Sequence, residues 1–237
     1  MAISHPYYPL GVEVPGYAPN ETPLAILLPS FALVCASVLA SAWRVSQSFR
    51  PGLPRSEVLT VLWFSLCGFI HIFFESFLVR HWASIASSQS FFGQVWKEYA
   101  KSDSRYMTKD LSVLCLETMA VTLWGPLSLI TVYMILTSHP MRHGFQIITS
   151  MGHLISLTIY YVTSLVEIWY LGSSHSRPEA LYFWGYFIGS NSPWGFIPVV
   201  LIWQSLKEIG MLSTLGAGQV QKQTKTNKKA EVRDKLT

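Results

Sequence analysis

The sequence predicts an all-α polytopic membrane protein, a bundle of five transmembrane helices enclosing an intramembrane ligand cavity. Half of its 237 residues are hydrophobic and only 13% are charged, against about 25% in a soluble domain, so lipid is the solvent the chain suits. Five apolar runs each supply the roughly 20 residues that a spanning helix needs, and a backbone in lipid must satisfy its polar groups within such helices. A few ionisable side chains interrupt the runs. At membrane depth each costs at least ~2.5–3.5 kcal/mol, so each is expected to face a cavity or a partner.

Residues 1–23 read as an extended N-terminal arm punctuated by Pro6, Pro9, Pro15, Pro19 and Pro23. It is polar and rich in Pro and Tyr, so no cleavable signal peptide is expected. Asn20-Glu21-Thr22 matches a glycosylation sequon, pressed against the first apolar run. The spanning domain covers residues 24–206. Its first span, Leu24 to Trp43, is free of charge and reads as structural. The second, Val58 to Val79, holds His71 and Glu75. A polar loop from Arg80 to Asp110, with Trp96, Tyr99, Tyr106, Asp103 and Arg105, suits an interfacial lid or cap, with Asp103 and Arg105 pairing locally. The third span, Leu111 to Leu136, contains Glu117 and the sequence Trp124-Gly125-Pro126, which reads as a kink. The fourth runs from Phe145 to Leu171 and carries Glu167 near its end, close enough to an interface to reach water. The fifth, Leu181 to Leu206, holds Asn191, Pro193 and Trp194. Residues 207–237 are polar and basic and read as a disordered tail.

The net charge of +4 lies mostly in that tail. It bears on orientation rather than on nucleic acid, which is not an expected partner. Arg44, Arg50, Arg55, Arg142, Lys207 and the tail lysines share one side of a five-span bundle, which favours a cytoplasmic tail. Cys35, Cys67 and Cys115 all sit in apolar runs, where thiols behave as small hydrophobes. Their spacing offers neither a disulfide framework nor a metal set. His139 and His143 flank Pro140 in a loop, an unpromising metal pair. No phosphate loop or hydrolase elbow is present, and neither a metal nor a cofactor is expected.

The chemistry concentrates in the spans. His71 and Glu75 are four residues apart, one turn along a single helix face. Glu117 has no basic neighbour in its own span, so its cheapest partner is the His71/Glu75 face. Two carboxylates sharing a dry site do not both ionise readily, so one holds a proton and the other does not. That arrangement puts an acid and a base in one pocket, able to move a proton on and off an apolar substrate. Asn191 and Trp194, three apart, share a face in the last span. An indole there is either a packing residue or a π-face for a developing positive charge.

These residues sit in long ordered blocks. Cys67-Gly68-Phe69-Ile70-His71 is followed by Glu75, then by Gln94-Val95-Trp96-Lys97-Glu98-Tyr99-Ala100-Lys101 and Asp103-Ser104-Arg105-Tyr106. Glu117-Thr118, Leu123-Trp124-Gly125-Pro126-Leu127-Ser128, Tyr182-Phe183-Trp184, Asn191, Trp194 and Pro198 complete the set. From about Trp63 to Pro198 the chain resembles the emopamil-binding protein family, the sterol Δ8–Δ7 isomerases.

The resemblance implies a multi-pass endoplasmic reticulum protein that takes a sterol substrate and hydrophobic amine ligands, with a homodimer left open. It implies a ring double bond moved from C8–C9 to C7–C8, through protonation at C9, a carbocation and loss of a proton from C7. His71, Glu75 and Glu117 would carry the proton chemistry, with Glu75 and His71 as donor and Glu117 as acceptor for a working assignment. Asn191 would assist by hydrogen bonding and Trp194 by stabilising the cation, with Thr118 and Thr122 as further contacts. Two departures touch the implied pocket. Ala120 stands where those isomerases usually have Thr, and Gly152-His153-Leu154-Ile155-Ser156-Leu157 replaces a Gly-Gln opening followed by Tyr-Gly and a polar residue. Two alternatives follow from them: a sterol- or amine-binding protein without catalysis, or the same acid and cation chemistry rearranging or cyclising another isoprenoid. A proton or ion transporter ranks lower, because the chain lacks the internal repeat and broken-helix pairs of transporters.

Overall fold

The computed structural model describes residues 5–234. Among these, five helices are long and apolar enough to cross a membrane: Leu24–Phe49, Arg55–Arg80, Leu111–Leu136, Arg142–Leu171 and a fifth that starts at Leu181. They pack in sequence, first on second, second on third, third on fourth and fourth on fifth. Large apolar side chains such as Leu33, Leu59, Leu129, Ile159 and Val200 are left exposed, the surface expected where lipid takes the place of water.

Three of the spans are not uniform α-helices. The second opens into a π-helical stretch at Ile70–Glu75 and the third into another at Ala120–Trp124, and the two lie against each other. Such wide turns occur preferentially at functional sites. The fifth span is π-helical over Leu181–Ser190, turns at Asn191 and Ser192, and restarts at Pro193. Proline supplies no backbone N–H to the preceding turn, so the restart falls where that loss matters least.

The sequence Trp124-Gly125-Pro126 works as a close contact more than as a kink. A Cβ on Gly125 would lie 2.7 Å from Ile72 Cγ1 and 3.1 Å from His71 Cβ. Only a glycine lets the third span approach the second here. Gly152 does the same for the fourth span, where a Cβ would sit 2.5 Å from the Trp124 ring.

The loop between the second and third spans is a folded cap with short helices Phe91–Tyr99 and Arg105–Thr108. Ser90 and Asp110 cap the helices that follow them through side-chain oxygens. The fully buried Asp103–Arg105 pair closes at 2.7 Å, and Arg105 also donates to Thr163 Oγ1 at 2.7 Å and to the Tyr160 carbonyl at 3.2 Å. The expected local pair therefore also staples the cap to the fourth span.

The described part of the N-terminal arm is not extended but folds over this cap. Tyr7, 1% exposed, donates to the Lys97 carbonyl at 3.1 Å. The sequon is engaged too, since Asn20 Nδ2 donates to the Gln94 carbonyl at 2.8 Å. Lys97 is buried beneath the arm with its ammonium on the Ala18 carbonyl at 2.8 Å. Burial lowers its pKa to about 8, against about 10.4 in an unfolded chain. Between those values the unfolded chain binds more protons, so this group makes stability rise with pH from about 8 to about 10. Thermal melts of the wild type against Lys97→Met across that window should show the rise only in the wild type; parallel curves would exclude it.

Beyond Leu206 the structure departs from the disordered tail expected for residues 207–237. The last helix continues to Asp234, because no proline follows Pro198 and the segment is rich in Lys and Gln, both good helix formers. Residues 235–237, like residues 1–4, lie outside the described part. At 1.5 Å per residue, a 42-residue helix is about 60 Å long, roughly twice the hydrocarbon thickness, so its second half must leave the bilayer.

Candidate active site

All five spans and the cap contribute to one cavity of 340 Å³, whose wall includes His71, Glu75, Glu117, Asn191 and Trp194. The volume falls within the range of small-molecule sites. Its lining is mostly apolar, with Phe31, Ile70, Phe74, Val113, Leu116 and Leu157 among the wall residues.

His71 and Glu75 meet across the π-helical turn, His71 Nδ1 lying 2.7 Å from Glu75 Oε2. The facing turn begins three residues after Glu117. Glu117 Oε1 accepts a hydrogen bond from the Tyr106 hydroxyl at 2.9 Å, and Glu117 Oε2 is buried with no partner. Burial, followed by the Glu117 charge, pushes the Tyr106 phenol well above its ordinary pKa, so Tyr106 acts as a fixed donor. Asn191 Nδ2 donates to the Tyr99 hydroxyl at 2.8 Å and to the Phe187 carbonyl at 2.8 Å. Burial also pushes Tyr99 up to about 12. Trp194 packs on Trp63 with ring centroids 5.1 Å apart.

Several wall residues carry no isolated sequence signal. Trp96 stacks on Phe74 at 4.5 Å and donates to its carbonyl at 3.0 Å. Trp124 donates from Nε1 to Ser156 Oγ at 2.9 Å, and both line the cavity. His153 lies with its Nε2 3.2 Å from His71 Nε2.

Thr118 and Thr122 do not belong to the site. Both are exposed on the outer face, their hydroxyls bonded at 2.7 Å to the Leu114 and Thr118 carbonyls. Adjacent helical residues diverge by about 100°, so Thr118 cannot share the direction of Glu117. Glu167 lies at a partly exposed end of the fourth span, where it meets His175. The spacing of the cysteines suggested no metal set. The fold nevertheless brings Cys67 together with His71 and His153, their ligating atoms within 4.8 Å of one another. The facing imidazole nitrogens of that trio are already joined by their own hydrogen bond.

Comparison with known proteins places this geometry. Residues 91–205 match the model of the EXPERA family, the expanded EBP superfamily. The 3-beta-hydroxysteroid-Delta(8),Delta(7)-isomerase of Mus musculus is 34% identical over 86% of this chain and 88% of its own length, and that of Cavia porcellus is 34% identical over the same shares. A protoglabretal synthase of Citrus sinensis is 34% identical over 61% of this chain and 67% of its own. The likeness to these isomerases runs over most of the chain. The chain belongs to the EXPERA superfamily.

Proposed function

We propose that this protein is a sterol Δ8–Δ7 isomerase. The observation that carries the reading is the pair of carboxylates in one apolar cavity, Glu75 bonded to His71 and Glu117 bonded to Tyr106. The reaction needs an acid within reach of C9 and a base within reach of C7, in a site dry enough to protect a carbocation from water.

The hydrogen bonding favours an order opposite to the working assignment from sequence. Glu75 has a histidine that can supply a hydrogen-bonded proton to a carboxylate, which favours its ionised form. Glu117 has one neutral donor and a second oxygen without a partner, which suits a carboxylic acid whose proton faces substrate. Glu117 then delivers a proton to C9, the C8–C9 π electrons form the new C–H bond, and C8 becomes cationic. Glu75 takes the proton from C7, and that C–H pair becomes the C7–C8 double bond. One proton enters and one leaves, so no oxidant or cofactor is needed. Trp194 offers a π-face to the cation, which also accounts for the hydrophobic amines proposed as ligands. Removing it with Trp194→Leu should slow turnover about 30-fold, the effect of ~2 kcal/mol, and Trp194→Phe should slow it less. Equal rates in the two variants would remove Trp194 from this role.

The decisive test supplies a Δ8-sterol to the purified protein in deuterated water, with mass spectrometry of the product. A Δ7-sterol carrying deuterium at C9 is expected. Sterol bound without conversion would replace this reading with a binding protein. A second reading, rearrangement or cyclisation of another isoprenoid cation, is favoured by Ala120, which is buried in the cavity wall without a hydroxyl. Products with altered carbon skeletons would support it. We place the protein in the endoplasmic reticulum membrane, following the family resemblance, with its tail on the cytoplasmic side, following the loop charges.

A further inference from the structure

We infer that His153 is a positioning residue that fixes the proton of His71 on Nδ1, facing Glu75. The inference rests on the reading of Glu75 and His71 as a proton-handling pair. The two Nε2 atoms are 3.2 Å apart, and His71 Nδ1 is 2.7 Å from Glu75 Oε2. A single hydrogen lies between the two rings, so only two arrangements with both rings neutral are consistent, and they differ by one proton on Glu75. In one, His153 Nε2–H donates to His71 Nε2, and His71 Nδ1–H donates to a Glu75 carboxylate. In the other every bond is reversed, Glu75 carries the proton, and His153 bears its hydrogen on Nδ1.

The surroundings of His153 decide between them. The residue is 2% exposed and its Nδ1 has no hydrogen-bond partner. The reversed arrangement therefore leaves a buried N–H without an acceptor, the rarer kind of orphan. The first leaves only a bare lone pair, the milder kind of orphan. The Trp63 ring stands edge-on to His153 at 6.5 Å, with Trp194 at 5.1 Å from Trp63. Both indole N–H groups are buried donors without partners. Among these rings a bare lone pair costs less than an N–H with nothing to accept it. Gly152 brings the fourth span close enough to Trp124 to hold the neighbouring imidazole at this distance. The consequence is a permanent donor for Glu75, which keeps that carboxylate, and not Glu117, as the base.

Full-length wild type, His153→Leu and His153→Gln in detergent, supplied with a Δ8-sterol, test this. A Gln side chain can donate an N–H to His71 Nε2; Leu cannot. His153→Leu should lower kcat 10- to 100-fold with KM within twofold, and His153→Gln should restore kcat to within about threefold of wild type. Nitrogen-15 NMR of labelled histidine reads the tautomer without turnover. Wild type and His153→Gln should show His71 neutral with its proton on Nδ1, and His153→Leu should show the Nε2–H form gaining population. A wild-type His71 protonated on Nε2 would overturn the inference. So would unchanged kcat in His153→Leu, or equal losses in Leu and Gln. If wild type converts no Δ8-sterol, the isomerase reading fails while the NMR result still decides the tautomer.

Discussion

Glu117→Gln should abolish turnover while leaving the fold intact. The replacement has the same shape, its amide oxygen can still accept from Tyr106 as Glu117 Oε1 does at 2.9 Å, and no charge is added or removed if Glu117 is neutral. What it lacks is a proton acidic enough to give to an alkene. General acid catalysis ordinarily contributes 10²–10⁴-fold. Here protonation creates the cation itself, so the loss should reach at least ~10³-fold, to the detection limit of a sterol assay. The melting temperature should stay within a few degrees of wild type, and bound amine should persist. Turnover at a tenth of the wild-type rate or better would remove Glu117 as the acid. It would return the assignment to Glu75.

Asp103→Asn should have the largest effect on stability. Arg105 is 1% exposed and Asp103 fully buried, and Asp103 receives both the Nε and the Nη2 hydrogens of the guanidinium. Removing the charge from one partner leaves a buried cation without its counter-ion, a loss of about 3–5 kcal/mol. The damage should reach the site, because this pair anchors the cap segment that carries Tyr106, and Arg105 also bonds the fourth span at Thr163 and Tyr160. Thermal melts in detergent should show a drop of many degrees, with weaker sterol binding under conditions where the variant remains folded. A melting point within two degrees of wild type would show that the pair is dispensable.

Much of this molecule is legible in its sequence, and the parts that are not share a cause. The third span, Leu111–Leu136, begins and ends where polarity changes on either side of it. The first span runs on past Trp43 to Phe49, because hydropathy marks where lipid ends and not where helical hydrogen bonding does. His71, Glu75 and Glu117 declare themselves because ionisable groups are costly in lipid. Asn191 and Trp194 needed the family resemblance. Tyr106, Trp124 and His153 were harder to see. Each lies in a setting where a bland role is sufficient, a cap, a kink or an altered span, and only the approach of another helix gives it a task. Thr118 and Thr122 failed in the opposite direction, since being close to Glu117 along the chain says little about facing the same way. The π-helical turns leave no mark in the apolar pattern, because one surplus residue does not change the run of hydropathy.

Those turns bear on how this protein can change over evolutionary time. A π-helical turn is an α-helix holding one surplus residue, and losing that residue would let the helix close. Everything beyond it would then swing by about 100° relative to everything before. A single-codon deletion within Ile70–Glu75 would thus leave a hydrophobic helix able to insert, while rotating the residues beyond the turn relative to those before it. The same deletion within Ala120–Trp124 would keep Glu117 in place but carry Gly125 off the second span. The length of these segments is therefore under tighter constraint than their composition. Descendants should exchange residues there far more readily than they lose one.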